Sequence, residues 1–153
     1  MEWLAFGGIA WLTGLLLVPL KNWKKLWPLG IAGMIIVFTI DSTLVSLGAF
    51  KFSSSTPEIS GIPVPYWLSY IPGGIIFGYY CPNERWLKLV YIAISAFALL
   101  VMELIMLWLG YFNYINWNPA KSFMLNAGGF TIMLWLAEWL GLAGKKDIAI
   151  SEF

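Results

Sequence analysis

The chain has 153 residues, of which 60% are hydrophobic and only 11% are charged, and its formal net charge at pH 7 is +1. Soluble domains carry about 25% charged residues because they need a solvated surface, so this composition excludes an ordinary soluble globule and indicates an integral membrane protein. A charge so near zero gives no field that attracts nucleic acid. The chain has no histidine and a single cysteine, Cys81, so we predict no internal disulfide, no metal site and no cofactor.

Five stretches are apolar enough to cross a bilayer, which takes about 20 mostly apolar residues per helix. They are residues 3–20, 26–50, 62–81, 87–112 and 122–143. The third stretch is the least regular, because it contains Pro63, Pro65 and Pro72, and two glycines follow Pro72. A kinked or broken helix is expected there. We predict an all-α, polytopic membrane protein: one domain over residues 1–153, built as a bundle of five transmembrane helices.

The basic residues are divided unequally between the two sides of this bundle. Lys51 and Lys121 fall on one side, and the other seven of the nine basic residues fall on the opposite side. Those seven are Lys21, Lys24, Lys25, Arg85, Lys88, Lys145 and Lys146. Loops rich in Lys and Arg stay in the cytoplasm. The pattern therefore predicts a multi-pass protein of the plasma membrane, with its N-terminus outside and its C-terminus in the cytoplasm.

Three polar residues stand inside the predicted spans: Asp41 in the second, Glu103 in the fourth and Asn126 in the fifth. At a rise of 1.5 Å per residue they lie about 21, 25 and 20 Å from the tryptophans at the predicted inner boundary. All three therefore reach a similar depth in the outer part of the membrane. Ionisable groups at such depths cost roughly 2.5 kcal/mol or more, so they rarely face lipid and often mark functional sites.

Ser42 and Ser46 extend the polar side of the second span beyond Asp41. We predict that these residues, with Glu103 and Asn126, form an outward-facing polar pocket that binds a small or lipid-like ligand. Two carboxyl groups in one pocket do not both ionise easily, because desolvation and like charge oppose it. Such a pair suits either acid/base chemistry or a cation site.

A structural interpretation of the same residues stays open. In it, Asp41 bonds a hydroxyl group of its own or a neighbouring helix, and Glu103 bonds Asn126 or a tyrosine of residues 111–114. Hydrogen bonds of this kind hold helices together in membranes. The polar residues are then interhelical contacts without a ligand.

Two further features are expected to be structural. Glu138 lies near the cytoplasmic end of the fifth span, and we predict an ion pair with Arg85 or Lys145. Gly74 and Gly78 form a GxxxG motif, which allows close helix packing. We predict packing as its main role, with dimerisation as the alternative.

The chain resembles small, Trp-rich, five-helix membrane proteins of Gram-positive bacteria that have no known activity. The residues that carry the resemblance are Asp41, the segment Gly78-Tyr79-Tyr80-Cys81-Pro82, Glu103 and the turn from Tyr111 to Trp117. The resemblance covers most of the chain and implies the same five-helix bundle.

A weaker resemblance points to the membrane lycopene cyclases. It is carried by Asp41, by Gly48-Ala49-Phe50-Lys51-Phe52 and by Gly61-Ile62-Pro63. Those enzymes place a glutamate soon after that proline, whereas Val64-Pro65-Tyr66 follows it here. The resemblance implies chemistry on an isoprenoid lipid.

Three hypotheses about function follow. The first is binding, with transport as an extension, of a small or lipid-like ligand, by this chain alone, as a homo-oligomer or with a partner membrane subunit. The second is a membrane enzyme that acts on an isoprenoid lipid, with the two carboxyl groups as acid and base. The third is a structural or accessory membrane subunit.

Overall fold

The computed structural model describes residues 1–144, and the chain is mostly helical. The helices are α1 (Glu2–Leu17), α2 (Leu20–Ser46), α3 (Val64–Leu68), α4 (Tyr70–Tyr80), α5 (Arg85–Trp108) and α6 (Pro119–Trp139). The strands are β1 (Phe50–Phe52), β2 (Glu58–Ile59), β3 (Ile62–Pro63) and β4 (Phe112–Tyr114). By length and composition, α2 and α5 are able to cross a membrane, and α1 is a shorter apolar helix.

The chain is mostly helical, but α2 and α5 both end in turns that lead directly into short strands, which were not predicted. Gly48 has a φ of +72° and Gly110 a φ of +83°, a left-handed conformation that glycine adopts without steric cost. In each turn a backbone N–H donates to a carbonyl of the last helical turn. The Ala49 N–H donates to the Leu44 carbonyl and the Tyr111 N–H to the Met106 carbonyl, both at 3.0 Å. Strands β1 and β4 then pair antiparallel, with Phe50 opposite Tyr114.

A second antiparallel pair, β2 with β3, closes through Ser60 and Gly61, which both have positive φ. The two small sheets lie at one end of the helices, together with the N-terminus. Trp3 donates from Nε1 to the Ser53 carbonyl at 3.1 Å, and the terminal amine donates to Ser55 Oγ at 2.7 Å. We call residues 49–63 and 111–118, with the start of α1, the sheet end.

The opposite end gathers the ends of the other helices. Tyr80 at the end of α4 donates to the Leu17 carbonyl at the end of α1, at 2.7 Å. The backbone N–H of Gly144, after α6, donates to the Gly78 carbonyl at 2.9 Å. The predictions for Lys145 and Lys146 lie outside the described residues.

The predicted third span is broken rather than kinked, and it is divided into three elements. Residues 62–81 comprise β3, the short helix α3 and then α4. Pro65 lies in the first turn of α3, and Pro72 is the third residue of α4, where the missing N–H has no helical partner to lose. The prolines therefore begin helices here.

Helix α4 is packed most closely against α2, and glycines set the distance between the two helices. A Cβ atom on Gly74 would lie 2.5 Å from the Leu29 carbonyl oxygen, and one on Gly78 would lie 2.4 Å from the Leu29 side chain. The GxxxG motif thus packs within the chain against α2, as predicted. Helix α5 packs mainly on α6, where Glu138 forms its ion pair with Lys88 at 2.5 Å rather than with Arg85.

Candidate functional site

A cavity of about 110 Å³ lies between α2 and α4 on one side and α5 and α6 on the other. A single water molecule needs roughly 10–15 Å³ of such space, so the cavity has room for several water molecules or a small chemical group. Most of its wall is apolar. At the sheet end it is bounded by Trp3, Phe50, Phe52 and Phe112, and at the other end by Phe77, Phe130 and Met133.

Asp41 lies in the wall of this cavity, on α2, and its side chain is 8% exposed. Tyr66, on α3, donates a hydrogen bond from its hydroxyl to Asp41 Oδ2 at 2.9 Å. The Tyr66 hydroxyl is also 3.1 Å from that of Tyr70, one helical turn further on. The described residues make no hydrogen bond to the other oxygen, Oδ1. One carboxylate oxygen is thus held by the protein and the other stays free.

Glu103, on α5, lies in the wall of the same cavity and has a similar arrangement. Its Oε1 accepts hydrogen bonds from the Tyr114 hydroxyl and, at 2.6 Å, from Ser122 Oγ. Ser122 in turn accepts from Trp117 Nε1 at 2.7 Å. Burial and the neighbouring carboxylate raise the pKa of Tyr114, so its hydroxyl keeps its proton and acts as the donor. Oε2 receives no hydrogen bond from the described part of the chain.

Asn126, on α6, is the third predicted residue in the cavity wall. Its Nδ2 is fully buried and has no hydrogen-bond partner among residues 1–144. Buried donors without an acceptor are rare, because leaving a buried polar group unpaired costs about 1–3 kcal/mol. An acceptor supplied by a water molecule or a ligand in the cavity would satisfy it.

Ser42 and Ser46, the other two predicted site residues, do not line the cavity. Ser42 Oγ donates to the Thr39 carbonyl at 3.2 Å, and Ser46 Oγ donates to the Thr43 carbonyl at 2.7 Å. Serine in a helix commonly bonds the backbone of the preceding turn in this way. The structure therefore brings together Asp41, Glu103 and Asn126 but not the two serines.

The side chains that position the carboxylates were predicted only as a class. In the structural interpretation the partner of Asp41 was a hydroxyl of its own or a neighbouring helix, and that of Glu103 was Asn126 or a tyrosine of residues 111–114. The partners are Tyr66 and Tyr114. Ser122 was missed because it stands at the predicted start of the fifth span, where a polar residue needs no special explanation. Tyr66 was missed as well, because a tyrosine near a predicted membrane boundary needs no special explanation.

The cavity presents carboxylate oxygens and an amide on an otherwise apolar and aromatic wall, and no Lys or Arg is among its lining residues. Within residues 1–144, no group of three or more His, Cys, Asp or Glu side chains is arranged to hold a metal ion. Comparison with protein-family models, curated proteins and solved structures finds no match for this chain.

Proposed function

We propose that this chain is a multi-pass protein of a bacterial plasma membrane and binds a small or lipid-like ligand in the cavity between α2, α4, α5 and α6. In this proposal the chain crosses the bilayer five times, with the sheet end outside. Transport of the same ligand, as a homo-oligomer or with a partner subunit, is the extension that the sequence suggests.

The apolar surface of the long helices supports the membrane location. The most apolar window of α2 is only 22% buried, and that of α5 only 11%. A core helix of a soluble protein is mostly buried, so the apolar side chains of α2 and α5 need an apolar solvent. Leu89, Ile94 and Phe97 on α5 are each more than half exposed. A lipid bilayer is the environment that makes such exposure favourable.

The distribution of charge supports the orientation. Lys21, Lys24, Arg85 and Lys88 all lie at the end opposite the sheets, where α2 and α5 begin. The sheet end carries Lys51 on β1. Because cytoplasmic segments are enriched in Lys and Arg, the sheet end is the external one.

The single observation that carries the binding function is the unpaired amide of Asn126 in a cavity with two half-satisfied carboxylates. Glu103 and Asp41 each offer one oxygen as a free acceptor, and Asn126 offers a donor without a partner. A wall of this kind, apolar with a few polar groups converging on one space, is typical of small-molecule sites.

The test uses the full chain, extracted from membranes into lipid nanodiscs and analysed by native mass spectrometry. We expect the wild type to carry a discrete bound molecule. Asp41→Asn and Glu103→Gln should each lower the occupancy of that molecule at least tenfold. Both substitutions keep an amide oxygen that accepts the existing hydrogen bonds, so the melting temperatures of the variants should stay near the wild-type value.

Ser42→Ala is the matched control, because Ser42 is adjacent to Asp41 but bonds its own helix. It should keep both the bound molecule and the melting temperature. A wild type that carries no molecule, or carboxamide variants that keep it in full, would contradict the proposed function.

A structural role is the second candidate, because each carboxylate also joins separate elements. Asp41 connects α2 to α3 through Tyr66, and Glu103 connects α5 to α6 through Ser122. If this is their whole role, no bound molecule is found in the wild type, and Asp41→Ala and Glu103→Ala, which remove the acceptor oxygens, lower the melting temperature.

A further inference from the structure

We infer that the ligand is an amphipath which reaches the cavity sideways, from the bilayer past Met102 on α5, and whose head group donates hydrogen bonds and carries no negative charge. This inference rests on the binding function proposed above. It adds the route of access and the chemical class of the ligand.

The two ends of the cavity are closed by buried side chains. At the sheet end Trp3 is 1% exposed and Phe50 is 4% exposed, and the rings of Phe50 and Phe112 are in contact, with centroids 4.9 Å apart. At the opposite end Phe77 stacks on Phe130 at 4.9 Å. The packing of these rings therefore gives no support to the sequence-based expectation that the pocket opens outward.

The side of the bundle offers the remaining route. Met102 lines the cavity and is also 40% exposed on the surface of α5, the only lining residue with so large an exposed fraction in the described chain. Methionine has an unbranched, flexible side chain that changes rotamer readily. Met102 directly precedes Glu103 in the sequence, so this flexible residue at the rim lies beside the polar part of the cavity wall.

The neighbouring surface of α5 is apolar, which fixes the kind of molecule that arrives there. Val101, Leu104 and Ile105 are all exposed beside Met102. In the proposed topology this surface faces lipid, so a molecule that crosses it is itself dissolved in the bilayer. The cavity of about 110 Å³ accommodates a head group, and an attached chain extends past Met102 into the lipid.

The polar groups of the wall select the head group. The free oxygens of Asp41 and Glu103 accept hydrogen bonds, and no lining Lys or Arg offsets the charge of an anion. A phosphate or carboxylate head would face two carboxyl groups at close range in a medium that screens poorly. A hydroxyl head donates a hydrogen bond to one of those oxygens, and its own oxygen is an acceptor for Asn126 Nδ2. An ammonium head has no acceptor for Asn126, but it donates to the carboxyl oxygens and carries the opposite charge to a carboxylate.

The head group is tested with three probes of equal chain length: dodecanol, dodecylamine and dodecyl phosphate. Binding to the full chain in phosphatidylcholine nanodiscs is measured by native mass spectrometry, with empty nanodiscs as the correction for partitioning. We expect dodecanol or dodecylamine to bind at least tenfold more tightly than dodecyl phosphate. Whichever of dodecanol and dodecylamine binds more tightly shows whether the head group is neutral or cationic. Equal or tighter binding of dodecyl phosphate would overturn the inference.

The route is tested with Met102→Trp, which enlarges the rim residue. Val101→Trp is the matched control, because Val101 is the adjacent exposed residue and does not line the cavity. We expect Met102→Trp to slow binding of the better probe at least tenfold and Val101→Trp to leave it unchanged. Met102→Ala, which cannot block the rim, should bind at the wild-type rate or faster. Equal rates in Met102→Trp and Val101→Trp would overturn the sideways route.

Failure of this inference can be distinguished from failure of the proposed function. A wild type with a co-purified molecule that none of the three probes displaces keeps the binding function and overturns the ligand class. A wild type that carries no molecule and binds no probe overturns both.

Discussion

At the residue scale, Tyr66 is the side chain on which the position of Asp41 depends most. Its hydroxyl bonds both Asp41 and Tyr70, and its ring packs edge-on against Trp3, with centroids 5.4 Å apart. It therefore joins α1, α2 and α4 through α3.

Removal of the hydroxyl alone should weaken the fold measurably. Tyr66→Phe keeps the ring but leaves the buried Asp41 carboxyl without its donor, which we expect to cost about 1–2 kcal/mol. The measurement is the melting temperature in detergent. Tyr111→Phe is the control, since the Tyr111 hydroxyl makes no hydrogen bond within residues 1–144, and its melting temperature should not change. A Tyr66→Phe variant as stable as the wild type would contradict this role.

Sequence alone could select Asp41, Glu103 and Asn126, because polar residues in long apolar stretches are conspicuous. It could not show that Ser42 and Ser46 lie outside the cavity wall. A helical serine has two competing partners, the site and the carbonyl of the preceding turn, and only coordinates show which one it bonds. Tyr66 was hidden for a different reason: tyrosines are common at membrane boundaries, so its hydroxyl carried no special signal.

At the element scale, α2 and α4 approach so closely that positions 30 and 74 of their contact surface have room only for glycine. Gly30 and Gly74 face each other, and the Cα of Gly30 is 3.1 Å from where a Gly74 Cβ would lie. This contact fixes α4, and with it Tyr70, against the helix that carries Asp41.

Adjacent glycines of α4 provide a matched test of this contact. Gly74→Ala would put a methyl group 2.5 Å from the Leu29 carbonyl oxygen, and we expect overpacking to cost about 1–3 kcal/mol or more. Gly73→Ala meets nothing within 4 Å and should be neutral or stabilising by roughly 0.5–1 kcal/mol, because alanine favours the helix. Unfolding in detergent measures both, and equal stability of the two variants would contradict the proposed packing.

Hydrophobic length predicted where the helices lie, but not all of their boundaries. The prediction began the second span at residue 26, whereas α2 begins at Leu20, because a charged first turn reads as a loop in a hydropathy pattern. Strands of two or three residues leave no periodicity to recognise, so β1 to β4 were not predicted. Strands β1 and β4 form because Gly48 and Gly110 turn the chain at the ends of α2 and α5, and β2 pairs with β3 because the chain reverses at Ser60 and Gly61.

At the scale of the whole molecule, the charge distribution predicts which end is external. Lys51 and Lys21 are exposed at opposite ends, and Cys81 is buried, so a thiol introduced at either lysine is the main reactive one. We expect a thiol reagent that cannot cross membranes to label Lys51→Cys in intact cells and to label Lys21→Cys only after the cells are opened. Labelling of Lys21→Cys in intact cells would contradict the orientation.

The central claim is that Asp41, Glu103 and Asn126 act on one molecule in one cavity, and an experimental density map tests it most directly. The map is to be determined from the wild type in lipid nanodiscs. The account predicts density for a non-protein molecule within hydrogen-bonding distance of Asn126 Nδ2 and of a free carboxylate oxygen. A map that shows the cavity filled by side chains or by water alone, with each carboxylate bound only to its own protein neighbours, would contradict it.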